Sequence, residues 1–226
     1  MRIALRVTAT SLMVAFVSAL AGAGPGTAGP PPVVARSIYV VQPDPRLCPS
    51  PLCGGYWVSR ANHSRTRCHD GLLRPRCYVA TAYSASTRKP LTTSLPAGSL
   101  VRAALGSETF PGFGELGAMT VTELWTPLGR TQPGDDFFRV RDLGIRCIRA
   151  PCFSMRAWKL NRPSRTTVSN LDLDAAKLTE KELATVQLAL PTLEGLVVAG
   201  RILPDADGGR VLSISRVYVR DAMPRA

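Results

Sequence analysis

The stretch IYVVQPDPRLCPSPLCGGYWVSRAN, residues 38–62, has a counterpart 99 positions further on, FFRVRDLGIRCIRAPCFSMRAWKLN, residues 137–161. Each stretch opens on a short apolar run, carries a C-x-x-x-x-C motif and ends on an asparagine, and the two align without a gap. Weaker matches continue in the same order over the rest of the chain. Such self-similarity at one offset predicts a duplication, with a first repeat over 37–130 and a second over 135–222.

Each half is predicted to be rich in short β-strands, because β-favouring residues alternate with polar ones between turn signals. In the second half, Thr179 and Glu182 form a capping-box pattern, which predicts a helix that ends at Pro191. The corresponding segment of the first half, residues 91–95, predicts only a turn. Asp207-Gly208-Gly209 predicts a hairpin between the last two strands.

The order of these elements predicts the fold class. Each half gives about five strands, with a short helix or turn before the last two, which is the order of a small oligonucleotide/oligosaccharide-binding (OB) barrel. Other α+β folds share this order, and a fold does not fix a function. The expected class is β-rich α+β, with two tandem, sequence-related halves shaped as small OB-like barrels.

The N-terminus has the features of a secretory signal. Arg2 and Arg6 precede an uncharged apolar run at residues 7–20, and small residues suited to cleavage follow. We expect a signal peptide over 1–23, a Pro/Gly-rich linker over 24–36 and a secreted or periplasmic location. The apolar run is too short for a comfortable membrane span, so no integral span is expected after processing. The alternative is an uncleaved anchor.

The chain is strongly basic, with a formal net charge of +12 that comes almost entirely from arginine. A basic surface permits anionic partners, although a compositional bias toward Arg, Ala, Gly and Pro explains the charge as well. In the densest basic run, Tyr78 and Tyr83 interleave with the cations, a combination that can grip an anionic polymer or reflect ordinary strand packing. The residues of this predicted anionic-ligand patch are Arg60, Arg65, Arg67, Arg74, Arg76, Arg88 and Lys89.

Six cysteines fall into three close pairs, namely Cys48 with Cys53, Cys68 with Cys77, and Cys147 with Cys152. In an exported protein they are expected to form disulfides, although the sequence does not fix their connectivity. A four-cysteine zinc site with one pair from each half has acceptable spacing, but an oxidising compartment disfavours it. A redox role is not expected, because the C-x-x-C motif is absent. We therefore predict neither a metal nor a cofactor.

Signals for catalysis are weak. Cys68, His69 and Asp70 are the residue types of a nucleophile and its base, but neighbouring side chains rarely point at one another, and Cys68 is better used in a disulfide. The sequence has no G-x-S-x-G, H-E-x-x-H, Walker or dinucleotide-binding motif. Asn62-His63-Ser64 fits a glycosylation sequon, although its repetition at Asn161 favours a strand-end turn. No catalytic residue is predicted.

The cysteine segments resemble the signatures of a known family. CPSPLCGGYWVSRAN at 48–62, TRC at 66–68, CYVA at 77–80 and GIRCIRAPCFS at 144–154 are similar to segments of exported bacterial proteins classed as a domain of unknown function. The resemblance spans residues 38–219. It implies export and duplication, and it brings no activity, ligand or catalytic residue.

Together these observations predict an exported, disulfide-stabilised protein without enzymatic activity. The protein is expected either to bind an anionic polymer or an extracellular protein, or to associate with the cell envelope. A protease inhibitor is the first alternative, because a cysteine-closed loop such as Cys48–Cys53 can be presented rigidly to an enzyme. A hydrolase with an unrecognised site is the second.

Overall fold

A computed structural model of the 226-residue chain describes residues 36–129 and 136–222. Strands dominate these ranges, so the β-rich α+β class is confirmed. The predicted signal peptide (1–23) and, except for Arg36, the predicted linker (24–36) lie outside the described residues. In the described ranges, no helix is long and apolar enough to cross a membrane.

The strands of the described ranges are numbered in chain order. They are β1 (Ser37–Pro43), β2 (Tyr56–Arg60), β3 (Thr66–Arg67), β4 (Leu73–Arg74), β5 (Cys77–Val79), β6 (Thr81–Ser84), β7 (Leu100–Phe110), β8 (Gly114–Leu128), β9 (Asp136–Asp142), β10 (Met155–Lys159), β11 (Arg165–Val168), β12 (Asn170–Asp172), β13 (Leu196–Pro204) and β14 (Arg210–Asp221). A 3-10 turn (Asp174–Ala176) and helix α1 (Glu180–Ala189) lie between β12 and β13.

In the first half, the strands are paired in the order β5, β2, β1, β7, β8 and β6. β1 pairs with β2 and β7, β2 pairs with β5, and β7 pairs with β8, all antiparallel. β6 pairs with β8 in parallel and follows β5 after the single residue Ala80, whose N–H donates to the Gly117 carbonyl. Along these strands every second side chain points inward, which buries Val41, Val58 and Val79 in one cluster.

The strands of the second half are paired in the corresponding order β11, β10, β9, β13, β14 and β12. β9 pairs with β10 and β13, β10 with β11, and β13 with β14, all antiparallel, while β12 pairs with β14 in parallel. Its core cluster includes Val140, Ala157 and Leu212. The predicted hairpin between β13 and β14 is present, with the Gly208 N–H donating to the Asp205 carbonyl.

Helix α1 begins where the sequence predicts it, but it buries fewer apolar side chains than predicted. The Thr179 N–H donates to the Glu182 carboxylate at 2.8 Å, and the Glu182 N–H donates to the Thr179 hydroxyl at 3.4 Å, which completes the capping box. Val186 is buried against the core, but Leu183 is exposed. The predicted apolar face of Leu183, Val186 and Leu190 is therefore narrower than expected, since only Val186 of the three is fully buried and Leu190 is partly buried against the core.

The two halves share one sheet and one core cluster. The last part of β8 pairs with the last part of β14, from Leu124 opposite Asp221 to Leu128 opposite Val217. β6 uses the preceding residues of β8, up to Val121, so the two partners follow each other along β8. A third cluster draws side chains from both halves; it comprises Ile38, Ala61, Leu100, Trp125, Phe137, Leu160, Val197, Ala199 and Tyr218. We call this junction the seam.

Asn62 and Asn161 connect the two halves at the seam with equivalent hydrogen bonds. The Asn62 side chain accepts from the Phe137 N–H and donates to the carbonyls of Phe137 and Leu160. The Asn161 side chain accepts from the Ile38 N–H and donates to the carbonyls of Ile38 and Ala61. Both residues have positive φ, 60° and 57°, which asparagine tolerates better than most residues. The Asn62 side-chain nitrogen, the atom that a glycan would modify, donates two of these hydrogen bonds.

All six cysteines form disulfides, in the pairs singled out from the sequence. Cys48 bonds to Cys53, Cys68 to Cys77, and Cys147 to Cys152, with Cα–Cα distances of 5.4, 5.4 and 5.5 Å. Because a zinc ligand must be a free thiolate, the four-cysteine zinc alternative is excluded in this structure.

Candidate functional site

The residues of the predicted basic patch have different surroundings. Arg60 and Arg67 line a cleft of about 370 Å³ beside His69, whereas Arg74 forms an ion pair with Asp70 at 2.7 Å. Arg76 stacks over Trp57. The remaining members are exposed; Arg65 precedes β3, and Arg88 and Lys89 follow β6 in a turn. A ligand role for these residues stays a prediction.

An aromatic cluster covers the outer surface of β2 and β5. Trp57 and Tyr78 are opposite each other in the strand register, and their ring centroids are 5.5 Å apart. The Arg46 guanidinium lies 5.2 Å from the Trp57 centroid and 5.1 Å from that of Tyr78. Arg76 lies over the Trp57 ring at 4.8 Å. Because arginine is attracted to aromatic faces, these four side chains form one packed surface, which we call the aromatic cluster.

The aromatic cluster also fixes the first disulfide loop. The Tyr78 hydroxyl donates to the Pro51 carbonyl at 2.8 Å, and Arg46 donates to the Leu52 carbonyl at 2.8 Å. Arg46 is paired with Asp44, whose carboxylate also accepts from the Trp57 indole N–H. The Arg46 hydrogen bond, more than any other contact, holds the pKa of Asp44 below its usual value. The charge of Arg46 is therefore already balanced, and the cluster serves mainly to anchor the loop.

The equivalent surface of the second half is richer in unpaired charge. On β9 and β10, the inward residues Val140 and Ala157 are buried, so their neighbours Arg141, Arg156 and Trp158 face outward. Arg141 is opposite Arg156 in the register, and Trp158 is opposite Arg165 of β11. We call the surface formed by Arg141, Arg156, Trp158 and Arg165 the arginine face.

Two arginines of this face flank its tryptophan. The guanidinium carbons of Arg141 and Arg156 lie 5.9 and 5.8 Å from the Trp158 ring centroid. Next to them, a cleft of about 410 Å³ is lined by Arg156, Arg165 and Arg210 with two threonines. Arg210 is held there by the Thr166 hydroxyl at 3.1 Å and by the Phe153 ring. The result is a flat aromatic platform surrounded by cations.

No acid neutralises the arginine face within the described ranges. The two aspartates of β9 are paired elsewhere: Asp142 binds Arg146 at 2.9 Å, and Asp136 binds Lys159 at 2.5 Å. The Arg146 hydrogen bond is the main reason why the pKa of Asp142 is lowered. Arg141, Arg156 and Arg165 form no ion pair in the described part of the chain, so they are available to an anionic ligand.

The sequence prediction missed this face because its arginines are far apart along the chain. Arg141, Arg156 and Arg165 belong to three strands, whereas the predicted patch was chosen for its density in one segment. The available signal was the alternation Arg139-Val140-Arg141 and Arg156-Ala157-Trp158, which places the basic residues of each strand on one surface.

The weak catalytic signal does not gain support from the geometry. Cys68 is bonded to Cys77 and is therefore not a thiol nucleophile. Asp70 is engaged by Arg74 and by the Leu72 N–H. Residues 36–129 and 136–222 contain no group of three or more His, Cys, Asp or Glu side chains that could hold a metal ion.

Comparison with known proteins gives a family and no characterised relative. The model of a family described as a domain of unknown function (DUF6748) matches residues 37–215, which is most of the chain. No curated protein and no solved structure matches.

Proposed function

The chain belongs to the DUF6748 family, a domain of unknown function, and we propose that it is an exported, non-enzymatic binding protein whose arginine face holds an anionic polymer. Export is supported by three disulfides in a small basic protein, because such bonds form and persist outside the reducing cytoplasm. The single observation that carries the binding proposal is the unpaired set of Arg141, Arg156 and Arg165 around Trp158.

The proposal includes the architecture of the two halves. Each half is an OB-like barrel, and the halves arose by duplication. The matching pairing orders, the parallel pairs β6–β8 and β12–β14, and the equivalent asparagines support this. In OB barrels the surface of the second and third strands binds oligonucleotides and oligosaccharides. The arginine face includes the corresponding strands of the second half, β10 with Arg156 and Trp158 and β11 with Arg165, and extends to Arg141 on β9.

The chemistry of the face fits an extended anion with repeating charges. Arginine forks pair with phosphate, sulfate or carboxylate groups, and the partly exposed Trp158 offers an aromatic ring for another ring to stack on. Binding of this kind releases counterions, so the affinity falls steeply as salt rises.

The test is a titration of the mature protein with fluorescently labelled heparin and labelled oligo-dT at several salt concentrations. For R141Q/R156Q/R165Q we expect at least a tenfold loss of affinity and a salt slope that is shallower by about two units. A matched variant, R65Q/R67Q/R88Q, removes the same charge from the sequence-predicted patch and should change the affinity by less than about threefold. Equal losses in both variants would show that only net charge matters and would overturn the proposal.

A second candidate function, protease inhibition, is supported by the exposure of the disulfide loops. Ile148 lies inside the Cys147–Cys152 loop and is fully exposed, as is Leu47 next to the Cys48–Cys53 loop. A rigid loop that projects an apolar side chain can enter the specificity pocket of a protease at low entropic cost. Inhibition by the wild type in a panel of serine, cysteine and metalloproteases, lost in I148A or L47A, would support it; a panel without inhibition removes it.

A further inference from the structure

A cleft opens at the seam, away from the disulfide loops. Its volume is about 230 Å³, which is below the ~300–1,000 Å³ of pockets that hold drug-sized molecules. Trp125 of β8 contributes from the first half, and Arg139, Val197 and Tyr218 contribute from the second. We call this space the seam cleft.

The position of these residues follows from the strand register. Val197 on β13 is opposite both Arg139 on β9 and Tyr218 on β14, so the three side chains share one surface of the sheet. Trp125 is opposite Arg220 across the β8–β14 pair. The seam cleft therefore has an apolar wall of Trp125, Val197 and Tyr218, with a guanidinium beside it.

The charges around the seam cleft do not balance. Arg102 is paired with Glu123 at 3.1 Å, and Arg220 with Glu194 at 2.5 Å. Glu194 and Arg220 both line the cleft and neutralise each other, and Arg139 is a third cation that forms no ion pair within residues 36–129 and 136–222. The cleft thus carries one uncompensated positive charge.

The surroundings of Arg139 disfavour an unpaired charge on its guanidinium. Arg139 is half-buried, and burial is the main cause that lowers the pKa of its guanidinium, followed by the neighbouring charge of Arg102. Burial raises the pKa of Tyr218 to about 12, so the phenol is neutral and does not repel an anion. A partly desolvated cation with no partner gains much from a charge-assisted hydrogen bond.

We propose that the seam cleft binds a small monoanion with an apolar body, such as an aromatic or branched carboxylic acid. The carboxylate pairs with the planar fork of Arg139. The apolar body lies against Trp125, Val197 and Tyr218, where its burial adds favourable free energy. A single negative charge matches the single uncompensated cation, and the small volume excludes a polymer chain. Arg139 shares a sheet surface with Arg141 and is opposite Trp158 in the register, but neither of these two residues lines the seam cleft, and the site does not depend on the proposed polymer binding.

The experiment uses the intrinsic fluorescence of Trp125 in the variant W57F/W158F, since Trp57 and Trp158 are the other tryptophans of the chain. The titrants are 3-phenylpropionate, benzoate, 4-methylpentanoate and octanoate, with 3-phenylpropan-1-ol and 3-phenylpropylamine as matched controls. We expect a saturable change in emission for at least one acid, and at least tenfold weaker binding of the alcohol and the amine with the same body.

The variant R139Q should lose at least tenfold in affinity for that acid, and R139K should lose less because it keeps the charge. R141Q/R156Q should bind the acid as the wild type does, which separates this site from the arginine face. Thermal unfolding of each variant shows whether it is folded. If none of the acids gives a saturable signal, or if R139Q binds as tightly as wild type, the proposal is wrong, whatever the outcome of the polymer titration.

Discussion

Asn62 and Asn161 exchange equivalent hydrogen bonds across the seam, each amide holding the backbone of the first strand in the other half. Two neighbours reinforce the exchange: the His63 ring nitrogen Nε2 lies 3.1 Å from the Asn161 carbonyl oxygen, and the Arg162 Nε donates to the Asn62 carbonyl at 3.1 Å. The orientation of the two halves is therefore set by side chains of each half that bind the backbone of the other half.

Removing one of these amides should weaken the whole fold. N62A eliminates three hydrogen bonds and takes the Asn62 partner from the Phe137 N–H and the Leu160 carbonyl, which should lower the free energy of unfolding by about 2–4 kcal/mol. Urea denaturation measures the change. N62G is the matched control for backbone strain, because glycine accepts the positive φ. If N62G is as stable as wild type, the side-chain bonds do not hold the seam.

The three disulfides should differ in their contribution. C68A/C77A removes a bond whose two cysteines are both buried in the first core, so it loses packing as well as the constraint on the unfolded chain. We expect a loss of about 3–5 kcal/mol, against about 2 kcal/mol for C48A/C53A, whose bond closes a shorter and more exposed loop. Chemical denaturation of both variants under non-reducing conditions makes the comparison. Equal losses would contradict a packing role for Cys68–Cys77.

The capping box should account for part of the stability of α1. T179A removes the hydroxyl that accepts from the Glu182 N–H and should cost about 1 kcal/mol. T179S keeps the hydroxyl and should stay within about 0.5 kcal/mol of wild type. Glu182 also accepts from the Gly129 N–H at 3.2 Å, so hydrogen exchange at Gly129 should accelerate in T179A. Unchanged exchange there would argue against this coupling.

Acid should destabilise the protein in part through Asp44. Its pKa is lowered in the folded chain, chiefly by Arg46, so the unfolded chain takes up a proton at a higher pH than the folded chain does. The stability from this carboxylate is complete above the ordinary value of ~3.9 and is lost as the pH falls through the lower folded value. The urea midpoint of D44N should therefore change less than that of wild type between about pH 5 and about pH 2. An identical pH profile would contradict the expected role of Asp44.

The sequence predicted the local elements better than the long-range ones. The capping box at Thr179, the turn at Asp207-Gly208-Gly209 and the close cysteine pairs depend on neighbours in the chain, and all are confirmed. The outer part of the hairpin of β7 and β8, residues 106–116, is largely exposed and lacks an apolar alternation, so no local pattern marks it as strand.

The site was harder to predict than the fold for a physical reason. The matching offset pointed to Asn62 and Asn161 as turn residues, but their partners lie in the opposite half and share no local signal with them. In the same way, Arg139 stands out only because the nearby carboxylates are paired with Arg102 and Arg220. The spacing of residues along the chain does not predict which side chains pair in this way.

The way β6 and β14 share one edge of β8 has a consequence for self-association. Long strands with free edges are templates for aggregation, and β8 and β14, with 15 and 12 residues, are long ones. Beyond the residues that pair with β6 and β12, β8 and β14 pair with each other. Separation of the two halves at the seam is therefore the first opening that exposes an unpaired strand edge. Variants that weaken the seam should form intermolecular β-aggregates at temperatures where each half is still folded.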